Sequence, residues 1–423
     1  GLGAIWVPMY AAQQIEEWAY ILRDCEAKLV FAATEPWAEQ IEERRAELPA
    51  LREVIRLDAP PEDPRSWAAF LASAAEPAPI EAVAASDPAG FIYTSGTSGE
   101  PKGVVLSHGN LTSNTEAACI AVPLTTEDCS LSFLPWAHAF GQTAELHTLV
   151  TQGCRIAIND DISRLMDRLT EVRPTLLIAV PRVLHRVHEG VVKQLQKKPP
   201  LFTRLVDRVV TAHRRQRAGG RRSVAERLLH AAVDRVVFRP VRDKLGGRLR
   251  LTVSGSAALS PEVADFIYAM GIVLCEGYGL TECSPIVTAN TAAISRRGSV
   301  GRPVTGVKVL IDEARGARPG QGEIVVQGPG VMLGYHRLPE ESALALEQPG
   351  VLRTGDLGYL DEDGFLFITG RLKEQYKLEN GKYVVPSPLE EALKVSPWVT
   401  QVMLYGANRP YNVALAVLDL PQV

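Results

Sequence analysis

The stretch YTSGTSGEPKGVVLSH, residues 93–108, gathers glycines, serines and threonines around a single lysine, Lys102. Glycines let backbone N–H groups converge on an anion, hydroxyls add donors, and an ammonium supplies a point charge to phosphate oxygens. The preceding GFIYT reads as a strand, and the chain then turns through Ser95, Gly96, Thr97, Ser98 and Gly99. A phosphate-holding loop between a buried strand and a helix is the expectation. It is not a Walker A loop, in which the lysine directly follows a glycine and precedes a hydroxyl. Here Pro101 precedes Lys102 and Gly103 follows it, which argues against a P-loop kinase or NTPase.

Around this loop, strand-length apolar runs alternate with amphipathic patterns. LSFLP (131–135), RIAIN (155–159), TLLIAVP (175–181) and LRLTVSG (249–255) read as strands. ISRLMDRLTEVR places Ile162, Leu165, Met166, Leu169 and Val172 on one helical face. Ser260 and Pro261 supply the cap and first position of another helix. This alternation predicts an α/β architecture with mainly parallel sheets. After about residue 300, GVKVLID, GEIVVQG and GYLDEDGFLFITG predict a β-rich subdomain over 300–370, with Asp363-Gly364 as a hairpin turn. KLENGKYVVPSPLEEALKVS predicts a hairpin at Asn380-Gly381 and a helix capped by Ser387, with Glu390 completing a capping box.

The composition is that of a globular protein: 423 residues, 22% charged, formal net charge −4. No apolar run approaches the roughly 18 residues that a membrane-spanning helix needs. The six cysteines show no C-x-x-C spacing, which suits reduced thiols in a cytosolic protein better than disulfides or a metal cluster. The opening GLGAIWVPMYAAQ lacks the basic start of a signal peptide. From Arg182 to Arg250, 19 Lys/Arg face 5 Asp/Glu, with leucines and valines interleaved. That pattern fits a basic helical insertion over 182–250. A solvated basic face is the preferred reading, and peripheral contact with an anionic membrane surface is the sharper one. Nucleic-acid binding is not expected, because no stacking aromatics accompany the arginines.

Two further stretches carry chemistry. In CEGYGLTECSP (275–285), Tyr278 between Gly277 and Gly279 offers a flat ring on which a base could stack, with Thr281 and Glu282 just beyond. A carboxylate near phosphates suits Mg²⁺, a hard cation that takes few protein ligands. In LRTGDLGYLDEDGFLFITGRLKEQYKLENGK (352–382), Asp356 could accept hydrogen bonds from ribose hydroxyls, and Arg371 is a second candidate for the same nucleotide.

Taken in order, TSGTSGEPKG, GYGLTE, TGD and GRLKE resemble four motifs of the adenylate-forming superfamily, which includes acyl-CoA synthetases, luciferases and peptide-synthetase adenylation domains. The resemblance spans essentially the whole chain. It implies a large N-terminal AMP-binding domain over 1–370, built of two α/β subdomains and the β-rich subdomain, then a partial, mobile α+β domain over 371–423. It also implies that Thr94, Ser95, Gly96, Thr97, Ser98, Gly99 and Lys102 hold the β- and γ-phosphates of ATP. Tyr278 would stack on adenine, with Gly277 and Gly279 permitting its approach, and Gly255, Ser256 and Ala257 of SGSAAL would lie along the adenine and the acyl group. Thr281 would bond the α-phosphate, Glu282 would bind Mg²⁺, Asp356 and Arg371 would hold the ribose, and Lys373 would be the hinge between the two domains.

FLPWAHAFGQ, EVRPTLLIAVPRVLHRV and KLENGKYVVPSPLE resemble segments of the long-chain fatty acyl-CoA synthetases within that superfamily. On that basis Trp136 and His138 would border the acyl pocket, with core packing at a strand end as the alternative. The implied reaction is activation of a fatty acid to acyl-AMP with release of pyrophosphate, then transfer to coenzyme A. An acyl carrier protein as acceptor, or a non-catalytic lipid- or nucleotide-binding relative, are the alternatives. The family's second catalytic lysine has no counterpart in the last fifty residues, and its opening elements would precede Gly1. The expectation is therefore part of a longer cytoplasmic protein, at most peripheral to the inner face of the membrane.

Overall fold

Five short strands, Cys129–Ser132, Arg155–Ile158, Leu176–Ala179, Leu251–Ser254 and Val273–Gly279, run parallel. Two antiparallel strands, Ile286–Ala289 and Arg302–Pro303, extend this sheet to seven. The computed structural model describes residues 2–418 except 75, 77, 78, 95–99, 317, 318, 381, 395 and 397. Parallel strands are covered on both faces and so read as continuous apolar runs; Leu176, Leu177, Ile178 and Ala179 are all buried. All four strands expected from the sequence form, with shifted ends. The spatial order is 155–158, 129–132, 176–179, 251–254, 273–279. The chain thus leaves strand 129–132 first to one side and later to the other. At such a reversal the connections pass to opposite faces and leave a crevice at the carboxyl ends of the strands.

The basic segment forms helices Pro181–Gln196, Pro200–Arg217 and Val224–Val233. Their apolar sides join the largest core through Leu184, Val191, Leu195, Val206, Val209 and Val233, packed with Phe238 and Phe266. The segment 162–172 departs from its single-stripe expectation. A 3₁₀ turn, Ile162–Arg164, precedes the helix Leu165–Val172, and Leu165 and Leu169 are buried while Ile162 and Met166 are 60% and 49% exposed. The tighter 3₁₀ turn rotates Ile162 off the stripe, and Met166 sits about 100° round the helix from Leu165.

The loop of residues 95–99 lies outside the described residues, but its stems correct one expectation. Strand Pro88–Thr94 pairs antiparallel with strand Lys102–Ser107, with Thr94 opposite Lys102, so the loop joins two strands rather than a strand and a helix. The helix begins only at His108, where Ser107 and Asn110 form a capping box. A third strand, Gly334–Tyr335, pairs with Val105 and Val104 from the far side.

Strands Lys308–Asp312, Gly322–Gln327, Leu346–Gln348, Val351–Leu360 and Leu366–Arg371 make the expected β-rich sheet, entirely antiparallel. Its hairpin at Asp363-Gly364 is held by Asp361 Oδ1, which accepts from Asp363 N at 3.1 Å and Phe365 N at 2.9 Å. At the amino end, Leu29–Ala32 and Glu53–Arg56 pair in parallel beside helices Ile15–Asp24 and Glu35–Glu43, a second α/β piece. Past Arg371, Tyr376–Lys377 pairs with Tyr383–Val384, helix Pro386–Lys394 follows, and Val399–Tyr405 pairs with Val413–Leu418. Gly381 of the expected hairpin lies outside the described residues. The expected capping box does not form. The helix starts at Pro386, Ser387 Oγ donates to Glu374 at 2.6 Å, and Glu390 accepts from Leu404 N at 2.7 Å. Tertiary partners took both side chains.

Candidate active site

A cavity of about 650 Å³ opens at the carboxyl ends of the parallel strands. Of the residues singled out from sequence and described in the structure, all line it except Trp136 and Ala257. Ala257 is exposed. Trp136 is half-buried beside Glu145, nearer to the core-packing alternative than to a pocket wall. Glu145 lies on a π-helical segment, Phe140–His147, whose Phe140, Gly141 and Ala144 do line the cavity. Its buried carboxylate accepts from Ser130 Oγ at 2.9 Å and Ser132 Oγ at 2.6 Å, and burial raises it above the usual carboxylate range. His138 stands exposed among the lining residues, its ring 5.2 Å from that of Tyr10.

The nucleotide candidates meet across two sheets. Tyr278 ends a strand of the large sheet, and Asp356 and Arg371 face each other across strands 351–360 and 366–371 of the β-rich one. Tyr278 Oη donates to Asp356 Oδ2 at 2.6 Å, and Arg371 Nε sits 3.1 Å from Asp356 Oδ1. Burial and the Asp356 carboxylate hold the Tyr278 phenol well above its ordinary range, so it stays a donor at neutral pH. Asp356 is itself raised by burial, with Tyr278 and Arg371 opposing that shift. The turn that presents it is built locally. Gly355 has φ +72° and its N–H donates to the buried Glu323 at 3.1 Å, while Thr354 Oγ1 donates to Ile324 O and accepts from Asp356 N. Glu323 is fixed in turn by Arg353 at 2.7 Å.

Gly279 has a reason that the sequence reading missed. A Cβ there would stand 1.9 Å from the Pro285 carbonyl oxygen and 2.8 Å from its carbon. Close backbone approach in the hairpin between strands 273–279 and 286–289 demands this glycine. The turn Thr281–Cys283 that follows carries Glu282 to the cavity.

Sequence reasoning also passed over Tyr335. Its hydroxyl donates to Glu282 Oε1 at 2.8 Å, and burial with the Glu282 charge raises its phenol above the ordinary range. This leaves Glu282 Oε2 without a role in that bond. One carboxylate oriented by a phenol and facing a cavity is a donor set that suits Mg²⁺, which takes one or two carboxylates and completes its shell with water and phosphate oxygens. Among the described residues no cluster of three His, Cys, Asp or Glu side chains could hold a metal by itself. The signal that could have found Tyr335 is the glycine–aromatic pair GY at 334–335.

The same cavity has an apolar lining. Ala118, Ala121 and Val122 come from the end of helix His108–Ala121, Leu176 and Ile178 from their strand, and Val253 from the next. Polar side chains and an apolar wall therefore share one cavity.

The chain is similar to known proteins over most of its length. A model of the AMP-binding enzyme family matches residues 1–336. The long-chain-fatty-acid–CoA ligase FadD15 of Mycobacterium tuberculosis is 34% identical over 99% of this chain and 69% of that protein. The long-chain-fatty-acid–CoA ligase 1 of Homo sapiens is 34% identical over 80% of this chain and 49% of that protein. Among solved structures, ATP-bound MatB from Rhodopseudomonas palustris superposes with a TM-score of 0.73 at 25% identity, covering 98% of this chain and 74% of that one. The anthranilate CoA ligase AuaEII with anthranoyl-AMP gives a TM-score of 0.76 at 22% identity, over 100% and 73% of the two chains, a likeness of fold. The chain belongs to the AMP-binding enzyme family, and its fold is the adenylate-forming one.

Proposed function

We propose that this chain carries the catalytic core of an ATP-dependent long-chain fatty acid–CoA ligase. The observation that carries the reading is the single cavity in which Tyr278, Asp356, Thr281 and Glu282 meet an apolar lining. In this reading a fatty carboxylate oxygen attacks the α-phosphorus of ATP, the bond to pyrophosphate breaks, and acyl-AMP forms. The thiol sulfur of coenzyme A then attacks the acyl carbon, AMP leaves with the electron pair, and the thiol proton is released. Tyr278 stacks on adenine beside Gly277, Gly255 and Ser256, and Asp356 and Arg371 take the ribose hydroxyls. Thr281 bonds the α-phosphate, and Lys102 with Thr94 and residues 95–99 takes the β- and γ-phosphates. His138 borders the acyl group, and Lys373 is the hinge of the domain 371–423. Glu282 holds Mg²⁺, which when bound neutralises phosphate charge. Positioning and charge compensation then supply most of the acceleration, and no protein nucleophile is required.

The test is fatty-acid-dependent exchange of labelled pyrophosphate into ATP, run with carboxylates from acetate to oleate. Exchange is expected to rise with chain length. No exchange with any member of the panel would leave only a non-catalytic binder. Product analysis with coenzyme A and with a phosphopantetheinylated acyl carrier protein separates the two acceptors; thioester on the carrier alone overturns the coenzyme A assignment.

Among the described residues no helix is long and apolar enough to cross a membrane. The basic helices nevertheless leave Leu201, Val224 and Leu228 exposed. This supports a peripheral contact with an anionic membrane on the cytoplasmic side over a merely solvated face. Sedimentation with phosphatidylserine vesicles, reversed by high salt, is expected. Equal recovery with neutral and anionic vesicles contradicts it.

A further inference from the structure

Lys102 already has an anionic partner. Its Nζ lies 2.5 Å from Glu341 Oε2 and 5.3 Å from the centre of the Tyr335 ring. Strand pairing builds this contact, since Gly334 and Tyr335 lie against Val105 and Val104 and His336 N donates to Gly103 O at 2.7 Å. Ser342 Oγ donates to Leu338 O at 2.7 Å and accepts from Tyr335 N at 2.8 Å, turning the chain into the short helix Pro339–Ala345 that carries Glu341. The Glu341 side chain is 43% exposed and that of Lys102 only 17%, so the carboxylate reaches inward from the solvent edge. The hydrogen bond and charge of Lys102 hold the Glu341 carboxyl below the usual carboxylate range, and Lys373 acts in the same direction. Glu341 is thus anionic at neutral pH.

In the ATP-dependent reading above, on which this inference rests, the same ammonium is assigned to the β- and γ-phosphates. An ammonium has three donors, but a carboxylate and phosphate oxygens gathered on it repel one another at contact distance. We propose that Glu341 is a built-in competitor of the pyrophosphoryl group for Lys102. It yields the ammonium when the triphosphate arrives and takes it back as pyrophosphate departs. The contact lowers affinity for ATP and for pyrophosphate together, and so favours release of the product.

The experiment measures binding of Mg-ATP, Mg-pyrophosphate and AMP to the full chain by calorimetry, and the KM values for ATP and fatty acid in the exchange assay. Loss of a partly exposed ion pair is tolerated by folding, and its energy corresponds to about two- to fivefold in affinity. Glu341→Gln is expected to bind Mg-ATP and Mg-pyrophosphate tighter by that factor, with AMP binding and the fatty acid KM unchanged. Glu340→Gln, an exposed acid on the same turn, is expected to match the parent chain. Unchanged or weaker ATP binding by Glu341→Gln overturns the proposal, as does equal tightening for AMP or by Glu340→Gln. If neither the parent chain nor the variant binds ATP while both remain folded, the ATP reading itself fails.

Discussion

Glu282→Gln is expected to lose about 10²- to 10³-fold in the rate of fatty-acid-dependent pyrophosphate exchange, the usual cost of deleting one preorganised electrostatic contact. Glutamine keeps the carbonyl that Tyr335 Oη bonds at 2.8 Å, so the turn and its neighbour stay in place. What goes is the negative charge that suits a hard divalent cation. The thermal midpoint should therefore stay close to that of the parent chain while the Mg²⁺ concentration needed for half-maximal exchange rises. A loss smaller than about tenfold in a well-folded variant would mean that Glu282 does not hold the cation. Equal loss of activity and of folded protein would instead make it a structural glutamate.

Gly279→Ala is expected to cost about 3 kcal/mol or more, at the severe end of overpacking effects. The atoms that a methyl group would strike are backbone: Pro285 O at 1.9 Å, Pro285 C at 2.8 Å and Ile286 Cα at 3.2 Å. They belong to a hairpin in which Leu280 N donates to Pro285 O at 3.0 Å and Gly279 lies opposite Ile286. No rotamer change can relieve that contact, so the hairpin must open. Because the hairpin carries Tyr278 on one side and the Thr281–Cys283 turn on the other, ATP binding should fall with stability. Urea unfolding and calorimetric ATP binding measure the two effects. A variant with an unchanged urea midpoint would show that the hairpin can spread at little cost.

Much of this was legible in the chain itself. The apolar runs at 131–135, 155–159, 175–181 and 249–255 announced buried parallel strands, because strands covered on both faces have no polar side to alternate with. That Thr281, Glu282, Asp356 and Arg371 line one cavity was foreshadowed by the short glycine-containing motifs in which they stand, GYGLTE, TGD and GRLKE. Less legible were features decided by competition between partners. Ser387 and Glu390 have the spacing of a capping box, yet Glu374 and Leu404 hold them instead. Ile162 and Met166 fit an apolar stripe on paper, and a 3₁₀ turn together with the angular width of the stripe left them in solvent. Trp136 sits in a segment that looks like a pocket wall, but it lies beside the buried Glu145 rather than on the cavity.

The sequence by itself determined the α/β class, the family and the identity of most of the polar groups at the candidate site. Those depend on local residue types and short spacings, which a linear reading preserves. Only the tertiary structure decided which of those groups touch. Tyr278 finds Asp356 across 78 positions of chain, and Lys102 finds Glu341 across 239. Hydrogen bonds and ion pairs act over a few ångströms of space and are blind to separation along the chain. The partner that tunes Lys102 could therefore be seen only once the strand Gly334–Tyr335 had been laid against residues 104 and 105.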